Sequence, residues 1–267
     1  MVQRVLVPAD VSDAVSLLQP DAAFLAGGTL LMPVVNTEVS PWQDLVSARR
    51  LGLDRIEVTG DSARVGATAT LTTLGRDERL AFLQPVVESI ASPLIRNLAT
   101  VGGNLFAPQP YGDLAVALLA LDAEVVIAGP EGERRAPVQH VLTAGVGPGE
   151  IVTRVEFTIP AAGTFFYTKA MRRKLNSASI VTVAAVIEQE AGKVSRARVA
   201  LGGAGPRPIR APNVEAALTD EPLNVESVTA ASELALMDAA PFTDAYASAW
   251  YRARVLPVHI RRAILGE

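Results

Sequence analysis

The pattern of apolar residues changes once along the chain, at Pro160-Ala161-Ala162-Gly163, and that change bounds the fold. Before it, short apolar runs alternate with helical segments. Val5-Leu6-Val7, Phe24-Leu25-Ala26 and Leu45-Val46 read as strands. Val11, Ala14, Val15 and Leu18 fall at i, i+3, i+4 and i+7 behind Asp10, a capping residue type, so a helix is predicted there. Ile56-Glu57-Val58 and Arg64-Val65-Gly66-Ala67, joined through Gly60-Asp61, predict a hairpin. Helices are predicted over Pro85 to Ala91 and over Leu114 to Leu121, the second capped by Asp113. Pro93 to Asn104 reads as loop, and Val125 to Ile127 and Ile151 to Ile159 read as strands. After the change, Phe165 to Lys169, Ile180 to Glu188 and Val194 to Leu201 read as three antiparallel strands. Helices follow over Asn213 to Leu218, Val225 to Met237, Tyr246 to Val255 and His259 to Leu265. Strands followed by helices predict a separate α+β unit.

Composition narrows the chemistry. The 267 residues exceed one ordinary small core, and 49% hydrophobic against 19% charged residues allow a large buried interior. A net charge of −4, with Arg49-Arg50, Arg134-Arg135 and Arg261-Arg262 scattered, argues against nucleic-acid binding. The chain has no cysteine, which removes disulfides, thiolate zinc sites and Cys-ligated iron–sulfur clusters from it. Its two histidines, His140 and His259, have no metal-ligand spacing, and His259 is predicted to be a surface or capping residue. No metal site is expected. No apolar run approaches the roughly 18 residues of a membrane span, and no secretory leader pattern opens the chain, so a cytoplasmic protein is expected. A G-x-S-x-G elbow and a P-loop are both missing, which argues against a hydrolase or a P-loop nucleotidase.

Two glycine pairs stand beside hydroxyl or amide residues: Ala26-Gly27-Gly28-Thr29 and Ala99-Thr100-Val101-Gly102-Gly103-Asn104. Glycine permits positive φ and close backbone approach to a ligand, and consecutive N–H groups in such a turn converge on an anion. Two such loops fit the two phosphates of a dinucleotide, with Thr29, Thr100 and Asn104 adding side-chain hydrogen bonds. Either loop alone reads equally as a plain turn, and the spacing does not follow G-x-G-x-x-G.

The wider context of these loops is more specific. Ala26-Gly27-Gly28-Thr29-Leu30-Leu31 and Ile95-Arg96-Asn97-Leu98-Ala99-Thr100-Val101-Gly102-Gly103-Asn104-Leu105 resemble the two FAD loops of the medium subunits of the xanthine dehydrogenase and carbon monoxide dehydrogenase family. Asp113-Leu114, Glu150-Ile151-Val152, Arg172-Arg173 and Val199-Ala200-Leu201-Gly202-Gly203-Ala204 with Arg207-Pro208 are similar to later landmarks, in order. The resemblance implies a fold of the vanillyl-alcohol-oxidase (PCMH) type: FAD-binding subdomains at 1–55 and 56–160, both α/β, and a C-terminal α+β domain at 161–267 whose three-stranded antiparallel sheet and helices cover part of the flavin. It also implies an electron-transfer subunit of a molybdenum hydroxylase. A small partner would carry [2Fe–2S] clusters, a large partner molybdopterin, and FAD would pass electrons to an external acceptor.

By the same likeness, Ala26, Gly27, Gly28, Thr29, Leu30 and Leu31 with Asn97, Ala99, Thr100, Gly102, Gly103, Asn104 and Ala107 would bind FAD, mainly at its pyrophosphate. Asp113 would accept hydrogen bonds from FAD hydroxyls. Lys169 would reach the flavin or its phosphates, a plain surface lysine being the other reading. No catalytic residue is expected in this chain. Two departures stand out. Leu30 occupies a position that is often acidic or polar in the family. Asn176-Ser177-Ala178 stands where relatives usually carry an acid followed by an aromatic or bulky aliphatic residue near the flavin. A free-standing flavin oxidase and an assembly subunit without FAD are the alternatives. The scarcity of histidine opposes the first, and the intact Thr100-Val101-Gly102-Gly103-Asn104 run opposes the second.

Overall fold

A computed structural model describes residues 2–36, 40–173 and 177–266. Three sheets follow one another along the chain. Strand β1 (Arg4–Leu6), helix α1 (Val11–Leu17), strand β2 (Ala22–Leu25), helix α2 (Leu31–Val35) and strand β3 (Asp44–Ser47) form the first layer, a parallel sheet in the order β1-β3-β2. Asp10 caps α1 by accepting the Asp13 N–H at 2.8 Å, and Ala14 is buried as the periodicity predicts.

The second sheet contains β4 (Ile56–Thr59) and β5 (Ser62–Gly66), the predicted hairpin. Four short helices follow: α3 (Leu71–Gly75), α4 (Gln84–Ser89), α5 (Pro93–Arg96) and α6 (Val101–Asn104). Then come α7 (Asp113–Ala120), β6 (Glu124–Gly129), β7 (Gly132–Pro137), α8 (Val138–Ala144) and β8 (Ile151–Thr158). The strand order is β4-β5-β8-β6-β7, antiparallel throughout. Strand β7 escapes sequence reading because Glu133, Arg134 and Arg135 are all exposed. Its stability comes from pairing with β6 and from ion pairs such as Arg135–Glu156 and Arg134–Glu150.

The third sheet has four strands, not the three expected: β9 (Phe165–Met171), β10 (Ser179–Glu190), β11 (Lys193–Gly202) and β12 (Ile209–Arg210), in the order β12-β11-β10-β9. Strand β12 has two residues, too short to leave a period in the sequence. Helices α9 (Pro212–Leu218), α10 (Val225–Glu233), α11 (Ala235–Asp238) and α12 (Ala249–Leu265) cover one face. The two terminal helices of the sequence reading are one. Pro257 lies inside α12, and His259 is a half-buried mid-helix residue, not a cap; burial first, then Arg262, pushes its pKa down. No helix among the described residues is long and apolar enough to cross a membrane.

The third sheet is not a separate unit in packing. All eight residues of α7 are buried, as an all-round apolar helix requires. It lies against the opposite face of β10 and β11, where Ala184, Val186 and Ala200 join its core, while Val183, Ala185 and Ile187 face α12. Covered on both sides, β10 reads as a continuous apolar run instead of alternating.

Arg252 of α12 is fully buried. Its guanidinium donates to the carbonyls of Ser179 and Ile180 and to Asp244 at 2.7 Å, and it sits 4.6 Å from the Phe242 ring centroid. Burial pushes the Asp244 carboxyl up, but the N–H groups of Ala247 and Tyr246 together with Arg252 outweigh it and hold it below its ordinary 3.8. Asp244→Ala would strand a buried cation, and a loss of about 3–5 kcal/mol is expected in urea denaturation at pH 7. A carboxyl depressed on folding stabilises above its unfolded pKa and loses that contribution as pH falls through the folded value. The difference between wild type and Asp244→Ala should therefore shrink when the denaturation is repeated near pH 3.

Candidate functional site

A cavity of about 1330 Å³ opens where the three sheets meet. Every residue predicted to bind the cofactor lines it except Asn97, which is exposed and accepts the Thr72 hydroxyl at 2.7 Å. Asn97 steadies the second loop from outside. The predicted residues thus converge although they are spread from Ala26 to Lys169, because β2, α6, α7 and β9 all end at this point.

The two glycine loops have different work. In the first, β2 ends at Leu25 and α2 begins at Leu31 with no side chain capping it. Gly28 has φ of +71°, the left-handed region that glycine tolerates. No acceptor among the described residues takes the N–H groups of Gly27, Gly28, Thr29 or Leu30, and all four residues line the cavity. Consecutive N–H groups arranged in this way can cradle an anion. Leu30 has an exposed side chain, so its contribution there is its backbone N–H.

In the second loop, positive φ was the expected reason for glycine, and the structure gives another. Thr100 caps the short helix α6, and the N–H groups are satisfied within the protein: Val101 to Ala69 O, Gly102 to Ala67 O and Gly103 to Thr100 Oγ1, at 2.8–3.1 Å. The Thr100 hydroxyl oxygen thus accepts within the loop, and its O–H has no acceptor among the described residues. Glycine is needed for packing. A Cβ on Gly102 would stand 2.8 Å from Ala67 Cβ, and one on Gly103 would stand 2.9 Å from Thr100 Oγ1. The first loop closes on the second: a Cβ on Gly27 would lie 1.9 Å from the Leu98 carbonyl oxygen. Asn104 Oδ1 accepts the Ala115 N–H, which leaves its Nδ2 without an acceptor among the described residues and free for a ligand.

Asp113 is the first residue of α7, and Gly112, in the left-handed region, occupies the cap, so the predicted capping role is not what its carboxylate does. One oxygen accepts Lys169 Nζ at 2.8 Å and the other accepts the Thr182 hydroxyl at 2.5 Å. Lys169 is buried with it and also donates to the Ser89 carbonyl, so it is no surface lysine. Burial, then the Asp113 charge, raises the Tyr167 phenol well above its usual range, so Tyr167 stays protonated beside this pair while hydrogen-bonded to Ser89. A carboxylate has room for further donors beyond the two it holds.

Sequence reading missed several lining residues: Trp42, Phe106, Tyr111, Arg173 and Tyr246, and the turn Val146-Gly147-Pro148-Gly149. Only the turn left a signal, its glycine and proline run. Glu150 closes that turn, held low by Arg134 on both oxygens at 2.6 Å and by the Gly147 N–H. Of the departing stretch, Asn176 lies outside the described residues. Ser177 and Ala178 line the cavity, both buried and without a ring.

Residues 1–162 match the family described as the FAD binding domain in molybdopterin dehydrogenase. The chain belongs to that flavoprotein family. Residues 166–266 match the CO dehydrogenase flavoprotein C-terminal domain. The carbon monoxide dehydrogenase medium chain of Afipia carboxidovorans is 30% identical over 96% of this chain and 93% of its own. The xanthine dehydrogenase FAD-binding subunit of Escherichia coli is 32% identical over 96% and 92%. A crystal structure of the Cu,Mo-CO dehydrogenase superposes with a TM-score of 0.91 at 29% identity, covering 99% of this chain and 97% of that one. The protein is thus the FAD-binding medium subunit of an oxidoreductase of the molybdenum hydroxylase kind, with the PCMH-type fold that its sequence resemblance implies.

The Asp113–Lys169 pair carries a direct expectation. Asp113→Ala would leave a buried ammonium without its acid, and it should cost about 3–5 kcal/mol, more than the loss of a helix cap. Thr182→Val, which removes only a hydroxyl donor to the same carboxylate, should cost about 1–3 kcal/mol. Denaturation curves of the two variants should rank in that order.

Proposed function

We propose that this chain holds FAD in the cavity between its sheets and works as the electron relay of a larger complex. The observation that carries the reading is the first loop, where four adjacent N–H groups without an acceptor among the described residues face a cavity large enough for a dinucleotide. The pyrophosphate would rest on Gly27, Gly28, Thr29 and Leu30, with Ala26 and Leu31 flanking it. Ala99, Thr100, Gly102, Gly103 and Ala107 would form the opposing wall, and Asn104 Nδ2 would donate to a phosphate or ribose oxygen. Asp113 would use its remaining acceptor capacity on a hydroxyl of the cofactor, and Lys169 would hold that carboxylate in place.

When bound, FAD supplies an electron store that one-electron donors can fill and an external acceptor can empty. The chain's part is binding, orientation and exclusion of water. It has no cysteine for a cluster, so [2Fe–2S] centres would lie on a small partner and molybdopterin on a large one, where the organic substrate would be hydroxylated. We assign residues 1–55 and 56–160 to FAD binding and 161–267 to covering the flavin.

Purified chain should show the flavin absorbance bands near about 370 and 450 nm that belong to the cofactor itself. Gly28→Val should abolish FAD uptake, because it forces a β-branched residue into the left-handed region at the cradle. Gly103→Val should also reduce occupancy, by displacing the Thr100 cap and loosening the wall. A folded Gly28→Val protein with wild-type flavin content would overturn the cradle. Alone, the chain should hydroxylate no organic substrate, which an assay with an artificial dye acceptor can check.

A further inference from the structure

The C-terminal end of the cavity lacks a ring at Ser177 and Ala178, yet two tyrosines stand there. Tyr111 comes from the loop before α7 and Tyr246 from the loop before α12. Their hydroxyls meet at 2.6 Å, and their rings lie edge to face, with centroids 6.1 Å apart. Neither is a loose surface residue. The Tyr111 N–H donates to the Pro108 carbonyl and its own carbonyl accepts Gln109 Nε2; Gln109 in turn accepts the Gly203 N–H across the boundary between the second and third sheets. The Tyr246 N–H donates to Asp244, which the buried Arg252 holds in place. Two separate fixtures thus bring two aromatic side chains to one point of the cavity wall. Tyr111 is still 45% exposed there.

This end also suits the flavin ring better than the adenine. The ring gains negative charge on accepting electrons. Arg173 lines this end and forms no ion pair with an acid among the described residues. Trp42 and the Val146-Gly147-Pro148-Gly149 turn also line the cavity, and Glu150 after that turn is already paired with Arg134.

We propose that Tyr111 and Tyr246 form the aromatic wall at the flavin end of the cavity, in the place left without a ring at Ser177 and Ala178, and that their hydroxyl bridge shields the flavin from small oxidants. The proposal rests on the reading that the cavity holds FAD. Planar aromatic surface favours a planar ring beside it, and a neighbouring phenol quenches flavin fluorescence by electron transfer. The bridge joins the two halves of the chain, so it closes the gap between them. The hydrogen bond to Tyr246, then burial and the charges of Tyr246 and Asp244, push the Tyr111 phenol up to about 12.

The test compares FAD-loaded wild type with Tyr246→Ala, Tyr111→Ala, Tyr246→Phe and Tyr111→Phe. Occupancy is measured first, by absorbance after gel filtration. Bound-flavin fluorescence, its quenching by iodide and the FAD Kd follow. Both alanine variants should show brighter flavin, easier iodide quenching and a Kd raised by about 2- to 10-fold, the range of one aromatic contact. The phenylalanine variants keep the aromatic surface but lose one phenol each, so the Kd should stay near that of wild type while the flavin brightens, and iodide gains access because the bridge is gone. In Tyr246→Phe the ultraviolet titration of Tyr111 should also move from about 12 back toward 10. Unchanged fluorescence and iodide quenching in both alanine variants at full occupancy would overturn the wall. Should an alanine variant not fold, unchanged iodide access in the phenylalanine variants would overturn the shield. A wild-type chain that takes up no FAD would refute the cofactor reading itself, and the occupancy measurement alone identifies that outcome.

Discussion

The structure depends on the burial of α7. A helix whose seven residues after Asp113 are all apolar has to be covered all round, and no single sheet can do that. The second sheet's helices cover part of it and the C-terminal sheet covers the rest. The two halves of the chain are therefore joined through a shared core, and the cavity lies along their junction. The same burial sets the electrostatics. Asp113, at the first turn of α7, is carried inside with the helix and needs a cation, which Lys169 on β9 provides, while Thr182 on β10 satisfies the second oxygen. One carboxylate thus ties the helix to two strands of the other half at the edge of the site.

The division of work between the glycine loops follows from where their N–H groups go. Those of the second loop are satisfied inside the protein, which makes that loop a rigid wall. Those of the first have no acceptor among the described residues and lie beside the cavity, where an anion could pair with them. The close approach of Gly27 to the Leu98 carbonyl presses the cradle against the wall, so the geometry of one loop is inherited from the other. An anion site made of backbone donors is insensitive to side-chain drift, and Leu30, which departs from the family's polar preference, can still serve it.

At the far end of the cavity the chain has solved a different problem. Ser177 and Ala178 are small and buried, and the aromatic surface there comes instead from two loops that meet across the domain boundary. Each loop is braced by a polar side chain, the half-buried Gln109 on one side and the buried Arg252 on the other. Gly203 lies between these braces: its φ of +68° and its contact with the Ile180 carbonyl leave no room for a Cβ, which explains why the Gly202-Gly203-Ala204 landmark is where it is.

The sequence by itself determined the local elements and the family. Asp10 as a cap, the Ile56 to Ala67 hairpin, the long strands after Gly163 and the apolar α7 segment were legible because capping, turn chemistry and apolar period act over a few residues. The two glycine loops were legible as motifs because positive φ at Gly28 and close packing at Gly27, Gly102 and Gly103 constrain residue type directly. What escaped was whatever derives its stability from a distant partner. Strand β7 has an exposed, charged face and exists through pairing. Strand β12 is too short to have a period, and α12 runs through Pro257 as one helix where two were expected. Only the tertiary structure decided that Asp113 serves Lys169 instead of a helix cap, that Asn97 stays outside the cavity, and that Tyr111 and Tyr246 meet at its wall. Those facts depend on residues 25 to 135 positions apart in sequence, and a one-dimensional pattern has no term for such contacts.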